Sequence, residues 1–116
     1  MPFCSVVRRT SFICGPQPHR RCKALFSGAP KARILNDARG LIKMVIDAKS
    51  RKVMGVEITS SNAADIIHEA AFAIRSGLTI DDIIGTVHVF PTLSESIKPV
   101  AQSSYRDITK LSCCTE

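Results

Sequence analysis

The chain has 116 residues, of which 45% are hydrophobic and 22% are charged, with no tryptophan and a formal net charge of +6. This length allows one domain with a real core, and it is too short for a typical redox enzyme. No apolar run is long enough to span a membrane, and the few aromatic residues argue against a surface on which nucleic-acid bases stack.

The positive charge is concentrated at the N-terminus. Residues 1–27 contain five Lys/Arg and no acidic residue, whereas residues 28–116 contain eleven Lys/Arg and ten Asp/Glu. The part that looks folded is therefore nearly neutral, and a nucleic-acid-binding function would depend on residues 1–27 alone. We expect neither nucleic acid nor a membrane as a partner, and a basic nucleic-acid binder built on residues 1–27 stays an alternative.

Residues 1–27 are predicted to be irregular, with a poor strand at residues 4–7, because their short apolar groups lack a sustained period. This segment has no apolar stretch long enough for a secretory signal, which predicts a cytoplasmic location. A domain at 28–102 and a polar tail at 103–116 complete the predicted organisation.

Two strands are predicted after the N-terminal segment. Residues 40–47 (GLIKMVID) and residues 53–59 (VMGVEIT) both alternate, and the polar loop between them predicts an antiparallel hairpin. Gly55 in the second strand predicts a bulge or a close backbone approach. On the first strand the more buried face is predicted to carry Ile42, Met44 and Ile46.

Helices are predicted in the second half of the chain. The first is capped by Asn62 and ends at Gly77, and the second begins with Thr79 and Asp82 at capping-box spacing. The core-facing stripe of the first helix is predicted to contain Ile66, Ile67, Ala70, Ala73 and Ile74. After an extended run to Pro91, a third helix is expected to kink or break around residues 97–99 because of Pro99. These elements predict an α+β fold in which an antiparallel sheet carries its helices on one face.

Two places in the sequence could carry chemistry. Adjacent thiols do not readily close a disulfide, so Cys113 and Cys114 are read as two soft ligands for one metal ion. Glu95 either completes a capping box with Thr92 or orients a neighbouring group. His88 and His68 are expected to be ordinary surface or core residues.

None of the six glycines lies in a nucleotide-binding pattern. We therefore predict no cofactor-binding residue within this chain.

The order of these motifs resembles the C-terminal dimerisation domain of the pyridine nucleotide-disulfide oxidoreductases. The resemblance runs from about residue 30 to residue 116, through ARGLIKMVID, VMGVEI, ADIIHEAAFAIRSGLTIDDI, FPTLSESIK and DITKLSCC. Within that family the terminal KLSCC is similar to the mercury(II) reductases and is lacking in glutathione reductase and dihydrolipoamide dehydrogenase.

This resemblance implies part of an FAD- and NADPH-dependent homodimer that reduces Hg(II) to elemental mercury. It also implies that Cys113 and Cys114 of one subunit capture Hg(II) and pass it to a redox-active cysteine pair beside the flavin of the other subunit. The flavin and nucleotide domains are absent from this sequence, so we expect the chain alone to bind Hg(II) without NADPH turnover.

The resemblance also names two candidate catalytic positions. Disulfide reductases of the family carry a histidine base oriented by a glutamate; here Glu95 stands at the glutamate position and Phe90 at the histidine position, where the mercury enzymes typically have Tyr. Loss of this histidine argues against dithiol-disulfide exchange and agrees with metal reduction. His88 would point to the same side one pleat earlier and is not expected to replace it.

Residues 1–27 do not resemble the strand and helix with which the family domain opens, and a truncated or aberrantly started reading frame would explain this. A second function also stays open, that of a stand-alone dimerisation or soft-metal-sequestering module. In that interpretation the apolar helix faces at residues 66–74 and 83–84 pair two copies.

Overall fold

The computed structural model describes residues 3–7 and 19–105. One antiparallel sheet contains strands β1 (Phe3–Val7), β2 (His19–Leu25), β3 (Leu41–Asp47) and β4 (Val53–Thr59). Their order across the sheet is β1-β4-β3-β2. The helices are α1 (Pro30–Ile34), α2 (Ala63–Arg75), α3 (Ile80–Gly85) and α4 (Ile97–Gln102). Short 3-10 turns lie at Phe26–Gly28 and Ser94–Ser96.

The helices cover one face of the sheet, which confirms the predicted α+β architecture. Helix α2 packs against β1 and β4, α4 packs against β2 and β3, and α3 packs against α4. The strands bury apolar side chains beneath these helices because alternate residues point to opposite faces. The buried set includes Ile42, Met44, Ile46, Val56 and Ile58, and the opposite face exposes Arg21, Lys23, Lys43 and Glu57.

The β3–β4 hairpin contains the predicted bulge. Val45 pairs with Gly55 whereas Ile46 pairs with Val53, so Met54 is an extra residue on β4. The extra residue shifts the alternation of β4 by one position. Val53 therefore joins the buried face beneath the helices.

The prediction that residues 1–27 are irregular is wrong where β2 forms. Strand β2 pairs with the whole length of β3, and its inward side chains Cys22 and Ala24 are buried. These two side chains are small, so the strand has a weak apolar signal of its own. Pairing with β3 supplies the hydrogen bonds that fix it as a strand.

Helix α2 has the buried stripe that the sequence predicts, and Gly77 follows its end with φ +66. Asn62 occupies the N-cap position, although its side chain makes no capping hydrogen bond. Residues Ile66, Ile67, Ile74 and Ile83 are all buried in the core of this chain. The interpretation in which these helix faces pair two copies is therefore wrong, because the same side chains already cover the sheet. No described helix is long and apolar enough to cross a membrane.

The helix containing Pro99 is divided as expected, but the division lies ahead of the proline. The 3-10 turn Ser94–Ser96 changes to α4 at Ile97, so Pro99 falls in the first turn of α4. A backbone N–H at this position would have no partner within the helix. The break therefore lies at the junction between the 3-10 turn and α4, and the first turn of α4 accommodates the proline.

Tyr105 joins three parts of the molecule just after α4. Its hydroxyl donates to Asp81 Oδ1 at 2.8 Å and accepts from Arg51 Nη1 at 2.6 Å. Arg51 also forms an ion pair with Asp81 at 3.2 Å and lies over the Tyr105 ring, 5.7 Å from its centroid. The β3–β4 turn, α3 and the end of the described chain are thus held together by one polar cluster.

Candidate functional site

The predicted metal ligands Cys113 and Cys114 lie outside the described residues, so they stay a prediction. Within residues 3–7 and 19–105, no group of three or more His, Cys, Asp or Glu side chains is arranged to hold a metal ion. Cys22 is buried, and this burial raises the pKa of its thiol. A thiol of this kind is a weak metal ligand, because the thiolate is the binding form.

The structure contains a cleft of about 560 Å³ between α2, α3 and the segment that follows α3. Its wall carries unusually exposed apolar side chains: Phe72 is 70% exposed, Val87 is 93% exposed and Val89 is 74% exposed. Monomeric proteins seldom leave a cluster of this kind uncovered. The cleft is thus the strongest candidate for an interaction site in the described part of the chain.

His88 forms the polar floor of this cleft. Its side chain is only 9% exposed, and Nε2 lies 2.6 Å from Oε1 of Glu69 on α2. Nδ1 lies 3.1 Å from the backbone oxygen of Thr86. His88 is thus a nearly buried histidine that is hydrogen-bonded to Glu69 rather than isolated.

The two ring nitrogens of His88 both face acceptors. A neutral imidazole carries one N–H and can donate only once, while a backbone carbonyl and an ionised carboxylate can only accept. Both contacts are hydrogen bonds when the ring carries two protons, or when Glu69 holds the second one. A neutral histidine beside an ionised glutamate has one N–H for these two contacts. The arrangement therefore has room for one more proton.

Glu95 lies near this pair. Its backbone N–H donates to Thr92 Oγ1 at 3.2 Å, which forms one half of the predicted capping box. The other half is missing, because Glu95 Oε1 is buried without a hydrogen-bond partner among residues 3–7 and 19–105. Burial raises the pKa of the Glu95 carboxyl, and the neighbouring His88 opposes this shift.

Phe90 is 54% exposed and precedes Pro91 in a cis peptide bond. Its ring has no group that can donate to Glu95. The structure thus brings Glu95 close to His88, while Phe90 points an apolar ring outward.

Sequence reasoning missed Glu69 as a member of this cluster. The two partners are 19 residues apart and belong to different elements. Glu69 lies beside the buried stripe of α2, and the sequence pattern predicts an ordinary surface position there. The register of α2 could have indicated it, because residues three and four apart share a helix face. Glu69 therefore lies on the same side of α2 as Phe72 and Ala73, which line the cleft.

Comparison with known proteins gives the family. Residues 17–101 match the family model "Pyridine nucleotide-disulphide oxidoreductase, dimerisation domain". The mercuric reductase of Lysinibacillus sphaericus is 41% identical over 85 residues, which are 73% of this chain and 16% of that protein. The mercuric reductase of Streptomyces lividans is 33% identical over 96 residues, 83% of this chain and 20% of that protein.

Other relatives carry a different name. The mitochondrial dihydrolipoyl dehydrogenase of Pisum sativum is 36% identical over 87 residues, 75% of this chain and 17% of that protein. Sequence similarity therefore extends to proteins named for different activities.

Solved structures share the fold at lower identity. LpdA from Mycobacterium tuberculosis has a TM-score of 0.77 at 23% identity, covering 86% of this chain and 22% of that one. The HOCl-induced flavoprotein disulfide reductase RclA from Escherichia coli has a TM-score of 0.72 at 20% identity, covering 76% and 20%. This chain spans at most about a fifth of the curated relatives described above. Because the family match covers most of its residues, the chain belongs to the pyridine nucleotide-disulphide oxidoreductase dimerisation domain family.

Proposed function

We propose that this chain is the dimerisation and Hg(II)-capture portion of an FAD- and NADPH-dependent mercury(II) reductase, a cytoplasmic detoxifying homodimer that reduces Hg(II) to Hg(0). The observation that carries this proposal is the pair Cys113 and Cys114 in a chain of which 85 residues align with a mercuric reductase at 41% identity. Adjacent sulfur atoms suit a soft ion that prefers few ligands.

Capture proceeds by ligand exchange. Hg(II) reaches a reducing compartment bound to two small-molecule thiolates, and Cys113 and Cys114 replace them one at a time. Each step forms one S–Hg bond and breaks one, and the proton lost by the cysteine is taken up by the displaced thiolate. The metal keeps its charge throughout, so capture itself needs no electron donor.

FAD and NADPH would be bound by other domains of a longer protein. A dinucleotide phosphate is held between a strand and the start of a helix by a loop with several glycines. Gly28 is the described glycine in such a place, between β2 and α1, and residues 26–30 contain no second glycine. We therefore assign no step of the reduction to residues of this chain.

Glu95 and Phe90 are proposed as residues near the transfer site. The exposed ring of Phe90 cannot move a proton, which suits an ion passed between sulfur atoms better than an exchange of thiol protons. The buried, unpartnered Oε1 of Glu95 leaves one acceptor for a donor outside the described residues.

Hg(II) titration of the full 116-residue chain tests the proposal. The chain is supplied with excess free cysteine, and mercury retained after gel filtration is counted. We expect one tightly held Hg(II) per chain in the wild type. The double variant Cys113→Ser/Cys114→Ser is expected to retain none at the same competitor concentration.

Cys22→Ser is the matched control, because this buried thiol is not expected to bind the ion. The single variants Cys113→Ser and Cys114→Ser should each bind Hg(II) weakly, since one thiolate competes poorly with free cysteine. Undiminished retention in the double variant would reject the proposal.

The second candidate is a stand-alone dimerisation or soft-metal-sequestering module. It rests on the match to the dimerisation-domain family, which covers residues 17–101 of this chain. Immunodetection of the native product separates the two candidates. A band at the mass of 116 residues supports the module, and a band several times larger supports the enzyme portion.

A further inference from the structure

The two layers of the protein carry opposite net charge. Residues 19–59, which form three of the strands and α1, contain ten Lys/Arg and three acidic residues. Residues 60–105, which form α2, α3 and α4, contain two Lys/Arg and five acidic residues. Positive charge is therefore concentrated on the sheet, and charge complementarity favours an acidic partner there.

Strand β2 is the most positive strand of the sheet. It contains Arg20, Arg21 and Lys23 and no acidic residue, and these three side chains are exposed. Arg20 donates to the backbone oxygen of Ser104 at 3.4 Å. Neither Arg21 nor Lys23 forms an ion pair with a described residue. Two cations on the helix-free face of β2 can therefore interact with an acidic partner.

The positive charge continues from β2 to the next strand. Lys23 pairs directly with Lys43 on β3, and like charges opposite each other on neighbouring strands are unfavourable. Glu57 offsets Lys43 from β4, on the side away from β2. Protection of the sheet edge would explain charge on the outer strand, but it does not explain a second lysine behind it. An acidic side chain from outside would stabilise this pair of lysines.

The backbone of β2 has one unpaired edge among the described residues. The strand pairs with β3 along its whole length, and it stands last in the order β1-β4-β3-β2. In an antiparallel pair every second residue directs its N–H and C=O away from the partner strand. An extended peptide can therefore add to β2 through main-chain hydrogen bonds, with its side chains providing specificity.

The segments of this chain outside the described residues do not have the required charge. Residues 8–18 contain two arginines and no acidic residue, and residues 106–116 contain two Lys/Arg and two acidic residues. The edge also lies apart from the cleft beside α2, whose lining contains no residue of β2. These observations favour a segment of another polypeptide as the occupant.

We propose that the outer edge of β2 binds an extended acidic segment of another protein, which adds to the sheet as a further strand. The acidic side chains of this segment recur at every second position, about 7 Å apart, and lie beside Arg21 and Lys23 on the helix-free face. The residues between them are small or apolar, because they lie on the other face, beside the buried Cys22 and Ala24. The inference does not depend on mercury binding.

A short labelled peptide tests the proposal with the full 116-residue chain. The probe is Glu-Val-Glu-Val-Glu, acetylated at one end and labelled with a fluorophore at the other, and its binding is followed by anisotropy. We expect binding that weakens as salt is added, because the charges involved are exposed. The isomer Glu-Glu-Glu-Val-Val has the same charge without the alternation, and it should bind roughly fivefold more weakly.

Two double variants of the chain identify the surface. Lys23→Gln/Lys43→Gln should weaken binding of the alternating peptide roughly fivefold, the scale of two exposed ion pairs. Lys49→Gln/Lys52→Gln is the matched control, because it removes the same charge from the exposed β3–β4 turn. It should bind within about twofold of the wild type, since charges beyond a Debye length are screened.

N-methylation of the probe separates strand addition from charge attraction. One peptide is methylated on the valine nitrogens and another on the nitrogens of the second and third glutamates. In a strand these two sets of N–H groups point to opposite edges, so only one set can donate to β2. We expect one methylated peptide to bind roughly fivefold more weakly or worse and the other to bind as the parent does.

Several results would overturn the proposal. They are absence of binding at millimolar peptide, equal binding of the two isomers, equal loss in the two double variants, and equal binding of the two methylated peptides. Duplex DNA that displaces the peptide at equal charge concentration would show a surface for polyanions in general and would also overturn it. Circular dichroism checks the fold of each variant, and if Lys23→Gln/Lys43→Gln does not fold, the methylated peptides decide with the wild-type chain.

Discussion

Asp37 shows how much a single partly exposed residue can contribute to a turn. Its carboxylate accepts from Arg39 Nε at 2.9 Å and from the hydroxyl of Ser61, so it joins the α1–β3 turn to the start of α2. The hydrogen bond from Arg39 is the main reason that the pKa of Asp37 falls to about 2, and the bond from Ser61 contributes next. The charged form is therefore favoured by the folded state.

We predict that Asp37→Asn lowers stability at neutral pH but not in strong acid. A lowered pKa in the folded state means that the contribution is present above about pH 4 and is lost as the pH falls towards about 2. Urea midpoints of the wild type and the variant should differ at neutral pH and converge at the acid end. Ser61→Ala should retain most of this pH-dependent stability, since the bond from Arg39 is the larger cause of the lowered pKa of Asp37. Equal midpoints at neutral pH would contradict this prediction.

Contacts between side chains close in sequence could be predicted, and those between distant ones could not. Thr79 and Asp82 are three residues apart, and their spacing alone indicated the capping box that the structure contains. His88 and Glu69 belong to separate elements, so only the packed fold brings them together. No local sequence pattern indicates that the side chains of His88 and Glu69 are in contact.

At the scale of elements, a strand or helix was predictable when its own side chains supplied the burial. The alternation of β3 and the stripe of α2 are large and apolar, and both match the observed buried residues. Strand β2 was missed because it buries Cys22 and Ala24, whose small side chains supply little apolar area. Its conformation is set by pairing with β3, which is a tertiary effect.

The N-caps of α2 and α3 provide a matched element-level test. The Thr79 hydroxyl accepts from the backbone N–H of Asp82, and the Asp82 carboxylate accepts from the backbone N–H of Thr79, whereas Asn62 makes no side-chain capping bond. We predict that Thr79→Ala costs about 1 kcal/mol of unfolding free energy. Asn62→Ala should cost clearly less, because no capping bond is lost. Equal costs in urea denaturation would show that the capping box contributes nothing to stability.

At the scale of the whole molecule, Tyr105 connects regions that are far apart in the chain. Burial of the hydroxyl and its bond to Asp81 raise the pKa of Tyr105, so the folded state favours the neutral phenol. A raised pKa means that this contribution is present at neutral pH and is lost as the pH rises above about 10.

Tyr105→Phe is therefore expected to lower the urea midpoint at neutral pH, since it removes the bonds to Asp81 and Arg51. The difference from wild type should shrink under alkaline conditions, where the wild-type hydroxyl ionises beside a carboxylate. Arg51→Gln, which keeps the bond between Tyr105 and Asp81, should leave this alkaline response in place. A constant difference at all pH values would contradict the assignment.

The outer position of β2 in the sheet has a consequence for self-assembly. The strand lies at one end of the order β1-β4-β3-β2, and it exposes Arg20, Arg21 and Lys23. An open strand edge is a template for endless sheet growth, and a row of cations along it repels the same row on another molecule. Electrostatic repulsion therefore discourages fibre formation through this border.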